Sequence, residues 1–410
     1  MSARAGLLAA LVVACTPDGE VPGDDVPAEV SGIEVVARIE ASEPGGDQEH
    51  HPSAAWAADH WLVTWTRDVE DEGGRPYVEG VVLAPDRSLT AVPPFYGVKA
   101  DAVGRGDEFL LAWEDPTNRV SSRRVGLDGT LFTAAELEPE GPVPTGSVEV
   151  AADDETLFGI WYQGYNASEE QPADTLPEAS FRVVYQQGDT WPDDPVSTAF
   201  TTPVRGGSPP DALLHDGRPL AAVQLRYGDY DAELERYPER IELAAFDGPT
   251  PVATQVVADS DEGLASRPKL AARPDGTVAV AWRYGIEPST WSYVQLYSPT
   301  LEPQGEPIEI APGTLPDRPV ILGRDEGWWV AWEHPLPERG SASGGRDVYL
   351  GILSPDGQSW RVEPVPAGDP GERRTRPHLV DGGDAGVLLT YESGEQHETH
   401  IATLLLRPYR

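Results

Sequence analysis

A short phrase returns seven times along this chain: an apolar strand start, a tight turn, then four apolar residues that end in tryptophan or a substitute. The anchors are Trp65, Trp113, Trp161, Gln224, Trp282, Trp332 and Tyr391, spaced 48, 48, 63, 58, 50 and 59 residues apart. A unit of this size cannot cover both faces of its own sheet, so such units must stack on one another. A period near fifty with two to four strands per unit predicts a β-propeller. Strongly apolar runs such as Val278–Trp282, Phe109–Trp113 and Trp328–Trp332 fit strands covered on both faces.

Each unit reads as four strands, A to D. Strand A is innermost (Pro268–Ala272, Pro319–Leu322). Strand B carries the anchor, strand C alternates and ends at an Asp/Gly turn (Asp347–Leu353 before Asp356-Gly357), and strand D is polar and outermost (Glu306–Ile310). A proline-tolerant outer strand suits an exposed sheet edge. The last repeat stops after its strand C, His400–Leu406, while Ile33–Ile39 precedes the first repeat as an orphan strand D. The expected fold is therefore all-β, a seven-bladed β-propeller of four-stranded antiparallel blades over residues 32–410. Its ring is closed by the N-terminal strand pairing with the last blade. The anchor tryptophans are expected to pack between blades with their N–H groups bonded to carbonyls.

In such a ring the B-to-C and D-to-A connections share one face. The B-to-C segments 66–76, 162–179, 226–239 and 333–346 are longer than a hairpin needs, and long loops on a rigid scaffold are where binding concentrates. This face carries the aromatic candidates Tyr162, Tyr165, Tyr227, Tyr230, Tyr284 and Trp291, with Asp68, Asp229 and Asp231 nearby. Aromatic faces beside carboxylates suit a polysaccharide or a protein partner. A second pattern lies just before strand A: His51, Lys99, Arg267, Arg318 and Arg376 in five units, Ser147 and Pro209 in the other two. These residues should ring the mouth of the central channel. They form either a site for a carboxylated or sulfated ligand or scaffold ion pairs with acids that follow strand B on a neighbouring blade, such as Glu114, Glu333 and Glu392.

The chain has 30 basic and 69 acidic residues, a formal net charge of −39. That balance repels nucleic acid phosphates and anionic lipid surfaces. The histidines have no zinc spacing, and no Gly-x-Ser-x-Gly elbow or phosphate-binding glycine loop occurs. No catalytic constellation, metal ligand set or cofactor is expected, and calcium in the acidic loops is the one cofactor left open. The sequence does not specify an oligomeric state.

Residues 1–15 pair Arg4 with the apolar run Ala5–Ala14, too short to span a bilayer. Val12-Val13-Ala14-Cys15 resembles the bacterial lipobox, which implies an acylated Cys15 at the mature N-terminus. Cys15 is the only cysteine, so no disulfide forms within the chain. Residues 16–31 are acidic, proline-rich and aperiodic, as in a flexible tether. The resemblance implies a lipid-anchored protein of the bacterial cell envelope, at the outer membrane or periplasmic face, touching the membrane through lipid alone. The turn Ser354-Pro-Asp-Gly-Gln-Ser-Trp360 is similar to the Asp-box of sialidases and related propellers but one residue shorter, and Gln187-Gly-Asp-Thr-Trp191 resembles a second fragment. An Asp-box implies fold, not activity. Arg267, Arg318 and Arg376 could stand in for the arginine triad of sialidases, although the Phe-Arg-Ile-Pro motif is missing. Over Ile33 to Arg410 the chain is most similar to bacterial lipoprotein propellers with a repeated apolar-apolar-Ala-Trp phrase. The leading expectation is non-catalytic binding of a protein or polysaccharide on the long-loop face. A glycan-active enzyme at the arginine-lined mouth, or a scaffold of an envelope complex, are the alternatives.

Overall fold

A computed structural model describes residues 32–42, 48–68, 74–117, 119–137, 145–164, 180–188, 198–199, 206–207, 209–228, 237–260, 264–286, 289–336, 345–368, 373–395 and 398–408. Cys15, the tether, Tyr165, Tyr230, Asp229 and Asp231 lie outside the described residues. The described residues form seven antiparallel sheets arranged as the blades of a propeller, with no α-helix among them. Blade 5 shows the common plan: Ala265–Ala272, Val278–Ile286, Ser289–Tyr297 and Pro303–Ile310 are its strands A to D, hydrogen-bonded in that order.

The ring closes as its ends predict. Ile33–Glu40 is the outer strand of blade 7 and pairs antiparallel with Glu398–Pro408, with Ile33 opposite Pro408 and Glu40 opposite Ala402. Beyond it the Ala41 N–H donates to Ile401 O at 2.9 Å, and Ser42 Oγ donates to the buried Glu49. The Thr399 hydroxyl ties Glu49 to the same seam.

Burial follows the junctions between blades. The core divides into seven clusters, one per junction, and each anchor packs on the blade before it. Trp65 meets Leu388 and Ile401 of blade 7, and Trp332 meets Val294 and Leu296 of blade 5. Such faces have no other way to leave water. The turn that resembles an Asp-box is held by Asp356, which accepts from Ser354 Oγ at 2.6 Å and from Gln358 N at 3.1 Å. Its Trp360 ring centroid lies 5.8 Å from that of Trp332.

Two expectations need correction. Gln224 is not the anchor of blade 4. Ala222 pairs with Asp211, so Val223 enters the core between blades 3 and 4 while Gln224 turns to the other side. Tyr162 and Phe181, 5.5 Å apart between ring centroids, are the aromatics of that cluster at the long-loop end. The indole nitrogens of Trp65, Trp113, Trp161, Trp282 and Trp332 are buried, and none donates to an acceptor among the described residues. The rings pack on other side chains instead.

Trp332→Ala therefore removes packing without breaking a hydrogen bond. It should lower unfolding free energy by about 3–5 kcal/mol in urea titration. Deleting residues 32–40 exposes Glu398–Pro408 as an edge and should replace one cooperative transition with a broad, aggregation-prone one, seen by light scattering on heating.

Candidate functional site

The ring of bases is built into strand A by a backbone irregularity. His51, Lys99, Ser147, Arg267, Arg318 and Arg376 have φ of 55, 51, 38, 56, 47 and 53°. Non-glycine residues adopt this left-handed region uncommonly. At each of these positions the register with strand B slips, between His50 and Ser53 in blade 1 and between Ser266 and Lys269 in blade 5. These residues thus lie inside strand A at a β-bulge, not before the strand as expected. A bulge frees a residue from the ladder and re-aims its side chain. Four of the six precede a proline, Pro52, Pro268, Pro319 or Pro377, whose missing N–H suits a broken ladder. Blade 4 has Pro209 here, whose ring forbids a positive φ. Its strand A is instead split into Gly206–Gly207 and Asp211–His215.

The residue after each anchor completes the rim: Thr66, Glu114, Tyr162, Gln224, Arg283, Glu333 and Glu392 in blades 1 to 7. Four of these side chains accept a backbone N–H from the bulge residue of the next blade. Thr66 accepts from Lys99 at 2.9 Å, Glu333 from Arg376 at 2.9 Å, Glu392 from His51 at 3.0 Å and Gln224 from Arg267 at 3.4 Å. Tyr162 faces Pro209, which has no N–H to satisfy. Arg283 has no acceptor to offer, and Arg318 N donates to its own neighbour Asp317 at 2.7 Å.

The same residues decide which bases are neutralised. Lys99 pairs with Glu114 at 3.7 Å, Arg318 with Glu333 at 3.1 Å and Arg376 with Glu392 at 2.8 Å. The expected scaffold pairs therefore exist for three bases, but within one blade. Across blades the acids take backbone N–H groups. Burial and the charges of Arg376, His50 and Lys99 hold the His51 imidazole far below its ordinary pKa, so it is neutral. Arg267 differs from all of these. In its blade the facing position is Arg283, a base against a base. Among the described residues Arg267 makes no ion pair, and burial, then Arg318 and Arg283, push its pKa down to about 10. It remains charged at neutral pH.

These side chains line a cavity of about 570 Å³ that opens on the long-loop face. Tyr162, Arg226 and Arg283 also line it, and burial raises the Tyr162 hydroxyl well above its ordinary pKa. Arg226 is neutralised by Glu239 at 2.8 Å. Tyr227, Tyr284 and Trp291 do not line the cavity and stand beside it at the long-loop ends of blades 4 and 5.

Two residues past each bulge, strand A turns the same side inward again. This second ring is Ser53, Asp101, Glu149, Asp211, Lys269, Val320 and His378. Lys269 Nζ lies 2.6 Å from Asp211 and 3.5 Å from Glu149. Asp101 accepts from Ser53 Oγ at 3.0 Å and Val150 N at 2.8 Å. Burial raises Asp101 to about 6 and lifts Glu149 well above the carboxylate range. Burial and Lys269 push His378 down to about 3. This belt forms the floor of the cavity and the ceiling of a second one of about 370 Å³, which is lined mainly by alanine, valine and leucine. Below it the inner strands touch: a Cβ at Gly104 would lie 1.8 Å from Trp56 O. The belt and Arg283 were missed from sequence, although the two-residue step from each rim base and the position after each tryptophan mark them.

No protein-family model matches the sequence, and no curated protein is similar to it. Solved structures with a similar backbone include an unknown-function protein of Dyadobacter fermentans, 12% identical, with 92% of this chain and 100% of that one covered and a TM-score of 0.57. The polysaccharide lyase Uly1 is 10% identical, with 88% and 90% covered and a TM-score of 0.55. The Trypanosoma rangeli sialidase is 11% identical, with 90% of this chain and 59% of that longer one covered and a TM-score of 0.50. At these identities the likeness is one of fold.

Asp101 titrates near 6 when folded and near ~3.9 when unfolded. Between about pH 4 and 6 the folded state binds more protons, so stability falls as pH rises through this window. Asp101→Asn should reduce that slope, gaining roughly 2 kcal/mol above pH 6 relative to below pH 4, while the raised Glu149 and Asp211 keep the remainder. Urea midpoints measured against pH check this, and parallel curves for the two proteins would contradict it.

Proposed function

We propose that this protein binds the anionic group of an acidic saccharide at the channel mouth, with Arg267 as the anchor and Arg283 and Arg318 beside it. The observation that carries this reading is the departure of blade 5 from its own repeat. Three blades oppose the rim base with an acid, whereas blade 5 opposes Arg267 with Arg283. Arg283 is itself held by the buried Asp317 at 3.6 Å and Arg318 by Glu333 at 3.1 Å, so the charge without an ion pair is that of Arg267, and a bound anion would compensate it. Guanidinium groups suit carboxylate and sulfate because they donate two parallel hydrogen bonds. The cavity volume of about 570 Å³ falls in the range of small-ligand pockets.

The net charge of −39 narrows the ligand class. A densely charged polyanion is repelled by most of the surface, while the uncompensated charge of Arg267 is felt within a Debye length of about 8 Å. An isolated carboxylate or sulfate on an otherwise neutral glycan meets the attraction without the repulsion. The fold shared with a polysaccharide lyase and a sialidase agrees with a glycan ligand. Display on an envelope surface through an acylated Cys15 would present the cavity to such polymers.

A second reading, catalysis on that glycan, is favoured by Glu149 and Asp101, which open on the same cavity with raised pKa values. A carboxyl kept protonated near neutral pH can donate a proton to a leaving group. Release of new reducing ends that is lost in Glu149→Gln would establish it.

Gel retardation in hyaluronan, with neutral xylan and heparin as comparators, tests the binding reading. Hyaluronan should retard the protein, and Arg267→Gln should weaken this more than tenfold without lowering the melting temperature, since it relieves repulsion. Arg318→Gln deprives the buried Glu333 of its 3.1 Å partner and should destabilise by about 1–3 kcal/mol. Retardation equal in xylan, or untouched in Arg267→Gln, would reject the site.

A further inference from the structure

Blade 5 departs from the repeat at a second place. Ala265, two residues before Arg267, pairs with Tyr284, and Tyr284 pairs with Trp291. The three residues therefore lie in one line across strands A, B and C at the cavity edge. Adjacent strands are about 4.8 Å apart, so the line runs outward for roughly 10 Å. In the other blades the pair at this position is Arg67 and Tyr77, Asp115 and Arg119, Gln163 and Ser180, Leu225 and Arg240, His334 and Asp347, or Ser393 and His400. Two aromatic rings occur here in blade 5 alone, the blade whose rim base is unneutralised.

The rings are half-buried. Tyr284 lies 6.4 Å from Trp291 and 6.3 Å from Tyr293 between centroids, and Tyr293 stacks on the anchor Trp282 at 5.6 Å. The aromatic column thus continues past the core to the long-loop face. It is continuous with the cavity, because the Gly285 N–H donates at 3.0 Å to the carbonyl of Leu264, which lines that cavity. Its flanks are polar. Ser260 of blade 4 donates to the Tyr284 hydroxyl at 3.5 Å, and burial, then the charge of Glu309, raises the Tyr293 pKa.

We infer that Tyr284 and Trp291 form a second subsite, which takes a neutral sugar ring next to the anionic residue held at Arg267. This rests on the anion-site reading and extends it. A pyranose presents an apolar C–H face and a hydroxyl rim, which suits aromatic rings bordered by hydrogen-bonding groups. Glu309, opposite Tyr293 on the outer strand, accepts hydroxyls and repels a second carboxylate. The belt of Lys269, Asp211 and Glu149 closes the floor, so the rest of the chain leaves over the face, along this line. The ligand class is a glycan in which acidic and neutral residues alternate.

Isothermal titration with glucuronic acid, a hyaluronan tetrasaccharide and tetragalacturonic acid tests this. The alternating tetrasaccharide should bind at least tenfold tighter than glucuronic acid, and tetragalacturonic acid should show no such gain. Trp291→Ala should erase the gain while leaving glucuronic acid affinity unchanged, and Trp291→Phe should restore most of it. Melting temperatures of both variants separate a folding defect from a lost contact. A gain that survives Trp291→Ala, or one equally large for tetragalacturonic acid, rejects the second subsite alone. Failure of the wild type to bind any of the three rejects the Arg267 site and the subsite with it.

Discussion

Each sheet in this protein has two apolar faces and one neighbour on each side, so none can leave water unless the series bends back on itself. Closure is therefore the constraint on which the rest depends. It is met by hydrogen bonds between residues about 370 apart in the chain, Ile33–Glu40 on Glu398–Pro408. The seam is reinforced by Ser42, Glu49 and Thr399. Because a ring lacks a free end, the junctions support one another, and the strain of six left-handed bulges is tolerable.

The bulges give the ring its chemistry. In six of the seven blades they turn one side chain into the channel mouth and free a backbone N–H. The residue after the anchor then serves two purposes, accepting that N–H from the next blade and neutralising the base of its own. Where it is Glu333 or Glu392, both are met. Where it is Arg283, neither is met: Asp317 takes over the hydrogen bond, and the charge stays open. One substitution in a repeat thus leaves a rim base without its counter-charge and does so without altering the backbone.

Much of the fold was legible in the sequence because its determinants are local and repeated. The Ala-Trp phrase marks strand B, and the missing fourth strand at one end matches the spare strand at the other. Blade 4 was misread by one residue because Val223 carries no aromatic signal, and only pairing with Asp211 fixes its register. The rim bases were found by position, yet their bulged conformation was not. A left-handed residue leaves no compositional trace except the proline that often follows it. The belt was hidden for a different reason. Asp101, Glu149, Asp211 and Lys269 come from four blades, and their meeting is a property of the closed ring rather than of any segment.

The direction of the closing strand fixes how the molecule presents itself. Ile33 and Pro408 stand opposite each other at the end of blade 7 farthest from the bulges. The described chain therefore enters and leaves the ring on its underside. The face that carries the bulges is thus the one opposite the points where the chain enters and leaves the ring.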